Sequence, residues 1–131
     1  MITPNLTSSF DIVTCQQADE SVDAVKDSLE CGKPFSIAFV DVRMPPGPDG
    51  VWASEQIRAL DPNIEIVIVT GYSDIEPQQI ARRVLPGHKL LYLRKPFHPS
   101  EIIQFAAALS SKWQIEGQLR QLHQDLEHRV E

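Results

Sequence analysis

Phe35-Ser36-Ile37-Ala38-Phe39-Val40-Asp41 is an apolar run that ends on a lone carboxylate, and a loop carrying Pro45, Pro46, Gly47, Pro48 and Gly50 follows it. Two later segments repeat the pattern. Ile64-Glu65-Ile66-Val67-Ile68-Val69 closes on Thr70, and Leu90-Leu91-Tyr92-Leu93 closes, through Arg94, on Lys95, with Pro96 and Phe97 behind it. Strands covered on both faces read as nearly continuous apolar runs, which predicts a parallel sheet with Ile64 to Val69 at its centre. In open α/β sheets, ligands and chemistry gather outside the carboxyl ends of the strands. Three strand ends would then present an acid, a hydroxyl and an amine to one small volume. A polar residue that ends a single strand is unremarkable; three in succession point to a site.

The segments between these runs carry helix signals. Phe10 to Thr14 reads as a short strand. Ala18 to Leu29 reads as a helix with Asp19 and Glu20 in its first turn and Val22, Val25 and Leu29 on one face, stopped by Gly32 and Pro34. Asp49 can cap a helix from Val51 to Leu60, in which Ala53, Ile57 and Leu60 make the buried stripe and which Asp61-Pro62-Asn63 ends. A further helix is predicted from Asp74 through Pro77 to Leu85, where Pro86-Gly87 breaks the chain. After His98-Pro99 a helical pattern runs to the last residue, about 45 Å at ~1.5 Å per residue. Phe105, Ala108, Ile115, Leu119, Leu122 and Leu126 recur at alternating steps of three and four, with Lys112 and Arg129 in the same seam. The first half of this helix is expected to pack on the sheet. The second half, from Gln114, carries Ile115, Leu119, Leu122 and Leu126 as a dimer seam and argues for a coiled coil. The expected organisation is an irregular segment at 1–9, one domain at 10–110 and an extended helix at 111–131.

Asp41-Val42-Arg43-Met44-Pro45 to Asp49-Gly50, then Val69-Thr70-Gly71, then Tyr92-Leu93-Arg94-Lys95-Pro96-Phe97 resemble the receiver domain of two-component response regulators, over roughly Phe10 to Leu109. The resemblance implies a flavodoxin-like, three-layer α/β fold with a parallel sheet. It implies that Asp41 accepts a phosphoryl group from a histidine kinase or phosphotransfer protein, and that Thr70 and Lys95 contact the phosphoryl oxygens. Tyr92 takes the place of the aromatic that turns inward on activation. A cis Lys95-Pro96 bond is also implied, a form that carries only a small intrinsic penalty before proline.

One part of the family pattern is not found. Receivers open with a strand ending in paired acidic residues that help to hold Mg²⁺, whereas Met1 to Ser9 contains no acidic residue. Asp11 sits near the start of its predicted strand, at the opposite edge of the sheet from Asp41. The first strand and first helix are therefore expected to be missing, a truncation at the N-terminal side of the fold. The remaining metal ligands are Asp41 and the Arg43 carbonyl, which would bind a cation that wants near-octahedral oxygen ligation weakly or not at all. The favoured reading is a receiver phosphorylated on Asp41. The alternative is a degenerate receiver that serves as a dimerisation or docking module without phosphorylation. Without the first strand, Phe10 to Thr14 is expected to close against Ile37 to Val40 in a four-stranded sheet, or a strand of another chain fills the gap. Either way apolar surface is left bare, which predicts a homodimer.

Composition narrows the remaining choices. A chain of 131 residues is large enough for one domain with a real core. Its net charge of −6 disfavours direct nucleic-acid binding, and no Lys/Arg cluster with interleaved aromatics appears. No apolar run approaches a membrane span and no signal peptide is visible, so a cytoplasmic location is expected. Cys15 and Cys31 have no metal-ligand spacing and read as packing thiols. The histidines read as solvated, Trp52 and Trp113 as packing or interface residues. An enzyme is not expected, since no Ser or Cys stands in a nucleophile elbow and Gly71 belongs to no phosphate-cradling loop.

Overall fold

In the computed structural model, which describes residues 11–43, 49–71 and 77–130, the elements are α1 (Ala18–Glu30), β1 (Ile37–Asp41), α2 (Gly50–Leu60), β2 (Glu65–Thr70), α3 (Pro77–Arg83), a 3₁₀ turn (Gly87–Lys89), β3 (Leu90–Arg94) and α4 (Pro99–Val130). The expected segment at 1–9, the start of the predicted strand at Phe10, the loop of Pro45 to Pro48 and the helix start at Asp74 lie outside the described residues.

All three described strands are parallel, in the order β1-β2-β3, with Phe39 opposite Val67 and Val67 opposite Leu91. Strand side chains alternate between the faces. One face joins Val40, Ile66, Ile68 and Leu90 to Ala53 and Ile57 of α2, Ile80 of α3, and Val25 of α1, which packs on α2. The other joins Val67 and Leu93 to Leu109, Ile102 and Phe105 of α4, with Ile37 and Phe97 beside them. Every residue of β2 is buried, as expected for the central strand.

Local signals account for most boundaries. The Asp49 carboxylate accepts a hydrogen bond from the Trp52 N–H at 2.9 Å and caps α2. Gly32 follows α1 with φ of 74°, the left-handed conformation that favours glycine at a helix end. At the start of α4, His98 Nδ1 accepts from the Ser100 N–H at 3.1 Å while Glu101 Oε1 accepts from the His98 N–H at 3.1 Å, a reciprocal cap.

Several expectations are corrected. Asp11 to Cys15 have no regular secondary structure, and Ile12 and Val13 are exposed, so the predicted strand is not formed among the described residues and the described sheet has three strands. A strand persists through ladder bonds to a neighbour, and β-propensity over five residues does not replace them. Leu60, expected in the buried stripe of α2, is exposed at its end, and α3 stops at Arg83 rather than Leu85.

The long helix departs from a single stripe. Ala108 is exposed, and Lys112 turns to the body of the domain instead of filling the seam. At about 100° per residue, Ile102, Phe105, Ala106, Leu109 and Glu116 share the arc that faces the sheet. Ile115, Leu119, Leu122 and Leu126 share another, turned from it by roughly 110°. These four are 50–58% exposed, so nothing among the described residues buries them. The side chain of Arg129, expected in the same seam, lies outside the described residues.

Charges hold the middle of α4 to the amino ends of β2 and β3. Lys112 Nζ is 2.5 Å from Glu65 Oε1, and Lys89 Nζ is 2.9 Å from Glu116 Oε1 and 3.6 Å from Glu65 Oε2. Arg58, itself buried, donates to the carbonyls of Ile64 and Lys89 and ties these two strand starts together. The hydrogen bond from Lys89 holds the Glu116 carboxyl below the usual carboxylate range against some desolvation, with the charges of Lys89, Lys112 and His88 acting in the same direction. A carboxyl depressed in the folded state adds stability that is present above its unfolded value, about 4.3, and is lost as the pH falls through its folded value. Glu116→Gln should therefore melt below the parent at about pH 6, and the gap should narrow as the pH falls below about 4. A gap independent of pH in thermal unfolding would show that Glu116 does not act through its charge.

Candidate functional site

The parallel register places Asp41, the last residue of β1, opposite Val69, and Thr70, the last of β2, opposite Arg94. The ladder continues past the strands, with the Val42 N–H donating to the Val69 carbonyl at 3.0 Å and the Lys95 N–H to the Thr70 carbonyl at 2.8 Å. Asp41, Thr70 and Lys95 thus stand side by side on one rim. Lys95 Nζ reaches Asp41 Oδ2 at 2.6 Å although the two lie 54 positions apart in sequence, and the Lys95-Pro96 bond is cis, as the resemblance implies. The other carboxylate oxygen, Oδ1, accepts from the Arg43 N–H at 3.0 Å.

Exposure separates these residues by what they can do. Asp41 and Lys95 have side chains 37% and 48% exposed, so their ion pair adds at most about 1 kcal/mol of stability. It leaves a nucleophilic oxygen and a cation open to an incoming anion. Thr70 is only 7% exposed, while its position at the strand end keeps it on the rim. Tyr92 is half-buried against the core that contains Ile68 and Ile80, and burial pushes its hydroxyl pKa up.

Helix α2 closes on the site from below. Its first residue, Gly50, donates its N–H to the Val42 carbonyl at 2.9 Å. A Cβ built on Gly50 would come within 1.8 Å of the Asp41 carbonyl oxygen and 2.6 Å of its carbon. Only glycine lets the helix start approach the Asp41 backbone this closely.

The chain belongs to the response regulator receiver domain family, which it matches over residues 2–107, and is thus a receiver module of two-component signalling. It is 31% identical over 91 residues to the C4-dicarboxylate transport transcriptional regulatory protein DctD of Rhizobium meliloti, covering 70% of this chain and 19% of that protein. To the hydrogenase transcriptional regulatory protein HoxA of Cupriavidus necator it is 29% identical over 125 residues, covering 95% and 24%. The chain spans about a fifth to a quarter of the length of these curated relatives. Among solved structures, the adenylate cyclase from Rhodopirellula baltica is similar with a TM-score of 0.75 at 26% identity, over 92% of this chain and 84% of that one. The receiver domain of NtrX from Brucella abortus is similar in fold, with a TM-score of 0.63 at 21% identity over 82% and 85%.

Receiver domains typically bind Mg²⁺ at the phosphorylation site, and the described residues fit that ion poorly. No three Asp, Glu, His or Cys side chains converge among them. The one carboxylate on the rim already has Lys95 on Oδ2 and the Arg43 N–H on Oδ1. An ammonium at hydrogen-bond distance stands where a second cation would have to approach.

The sequence reading missed Gly50, taken only as a loop glycine, and the charges at the far end of the sheet. Glu65 is the one signal that could have exposed them, since a single carboxylate in an otherwise apolar central strand requires a buried partner. Gly50→Ala is expected to lower the stability by about 1–3 kcal/mol through overpacking against backbone. Urea unfolding checks this, and a variant as stable as the parent would show that α2 can back away from Asp41 without loss.

Proposed function

We propose that Asp41 is the phosphoacceptor of this receiver, that Thr70 and Lys95 hold the transferred phosphoryl oxygens, and that Tyr92 reports the modification to the α3–β3 side. The supporting observation is the 2.6 Å approach of Lys95 Nζ to Asp41 Oδ2, which puts a cation where phosphoryl charge would accumulate. One Asp41 oxygen attacks phosphorus in line while the bond from phosphorus to the donor breaks, and the donor leaves with the electron pair. The product is an acyl phosphate whose oxygens face the Lys95 ammonium and the Thr70 hydroxyl. The donor is a histidine kinase or phosphotransfer protein.

Phosphoryl transfer depends on positioning and charge neutralisation, so weak metal binding lowers the rate. With Mg²⁺ and acetyl phosphate the chain should label slowly, and Asp41→Asn should abolish what labelling there is. Rapid labelling would mean that other groups complete a metal site. No labelling at all would favour the second reading, a docking module in which Lys95 itself is the permanent counter-ion of Asp41.

The module acts in the cytoplasm as a homodimer, contacts no nucleic acid directly and catalyses no turnover of its own. None of the described helices is long and apolar enough to cross a membrane. The support for a dimer is the seam of Ile115, Leu119, Leu122 and Leu126, spaced as a coiled coil requires and confined to the part of α4 beyond the sheet. Phe39 and Leu91, on the α4 face of the sheet and 37% and 42% exposed, add apolar surface. Together these should bury more than roughly 1,000 Å² in a twofold dimer. Light scattering at micromolar concentration should give the dimer mass, and the double change Leu119→Lys and Leu122→Lys should give a monomer. A monomeric parent would sink the dimer, and a dimer indifferent to the double change would move its interface to the sheet.

A further inference from the structure

We propose that Glu65, Lys89, Lys112 and Glu116 form a rotational clamp on α4 that decides the direction in which the seam of Ile115, Leu119, Leu122 and Leu126 meets a second copy. The partner in this proposal rests on the dimer reading above; the clamp itself does not. Glu65 opens the central strand and is 1% exposed, so its charge has left water and depends on its neighbours. Lys112 meets Oε1 at 2.5 Å, and Lys89 stands 3.6 Å from Oε2. Lys89 in turn holds Glu116 at 2.9 Å, and Lys112 lies 4.0 Å from Glu116 one helical turn on. The carbonyl of His88 accepts a second bond from Lys112, and the His88 ring stands 4.0 Å from Glu116.

Apolar contacts through Ile102, Phe105 and Leu109 choose the side of α4 that meets the sheet, but they are non-directional and tolerate slight rolling of the helix. The charges do not tolerate it. A partial roll carries Lys112 away from Glu65 Oε1 and Glu116 away from Lys89, and leaves the buried carboxylate to Lys89 alone, 3.6 Å from Oε2. A buried ion pair is weak evidence for stability, and its better-attested use is to select one setting among several. The clamp also sits where such selection matters. Beyond Glu116 the arc that faces the body continues as Arg120, His123 and Glu127, all exposed, so none of these three can set the rotation. The seam begins at Ile115, inside the clamp.

A seam of four residues per chain is too short to impose its own orientation on two domains, so the domains must present it correctly beforehand. Rolled partway, α4 would turn the leucines off the partner and bring Arg120 and His123, on the neighbouring arc, toward it.

The test places spin labels on Glu30→Cys and Gln124→Cys, in chains whose Cys15 and Cys31 are serine, diluted with unlabelled protein so that only distances within one chain are read. The parent should give one narrow distance distribution. The apolar pair Glu65→Met and Lys112→Met keeps the volume filled while removing the directional charges. It should broaden the distribution about twofold and weaken dimerisation about tenfold or more, while leaving the melting temperature unchanged or raised. Should that pair not fold, Glu116→Gln provides the milder variant, with a smaller broadening expected. An unchanged distribution in a folded variant overturns the clamp, and a broadened one with unchanged dimerisation overturns its role in presenting the seam. A monomeric parent whose distance distribution still depends on Glu65 and Lys112 would refute the dimer reading and leave the clamp standing.

Discussion

Strand β2 is hydrogen-bonded along both edges and covered on both faces, and the positions of the other elements follow from that enclosure. A strand with no open side accepts only apolar residues along its length, which Ile66 to Val69 supply. Its two ends have to do something else. At the carboxyl end the neighbouring strands stop in register, and polar side chains become available on a common rim. At the amino end a carboxylate is forced inside, and lysines from the 3₁₀ turn before β3 and from α4 follow it in. The site and the helix anchor are thus two consequences of one enclosed strand.

Much of this was legible in the sequence because it rests on period and punctuation. Apolar runs closed by Asp41, Thr70 and Lys95 locate the three strands and their common edge, and Asp49 marks the start of α2 through a hydrogen bond that any capping aspartate makes. The seam from Ile115 to Leu126 is legible for the same reason. What failed depends on distant partners. Phe10 to Thr14 has the composition of a strand, but a strand is defined by its neighbour, and Asp11 to Cys15 pair with none. Leu60 and Ala108 fit their stripes in one dimension, but Leu60 falls at the exposed end of its helix and Ala108 on the arc of α4 turned away from the sheet.

The rim residues themselves were readable, but not what holds them there. Gly50 looks like any loop glycine until the helix start is seen against the Asp41 carbonyl, and no local pattern announces a contact of that kind. Lys112 occupies a seam position in the heptad count, and only the depth of Glu65 explains why it faces inward. Periodicity assigns a side chain to a face; it does not tell which of two faces a lysine chooses when one holds a buried acid.

Helix α4 begins beside the Asp41 rim and runs antiparallel to the strands, passing Glu65 at their amino ends before it leaves the domain. Asp41 and the seam therefore occupy opposite poles of the molecule. A macromolecule that reaches Asp41 approaches from one side and a helix that joins Leu119 and Leu122 from the other, so neither blocks the other's entry. Assemblies in which both surfaces are occupied at once are sterically allowed, and encounter at the rim requires no dissociation at the far end.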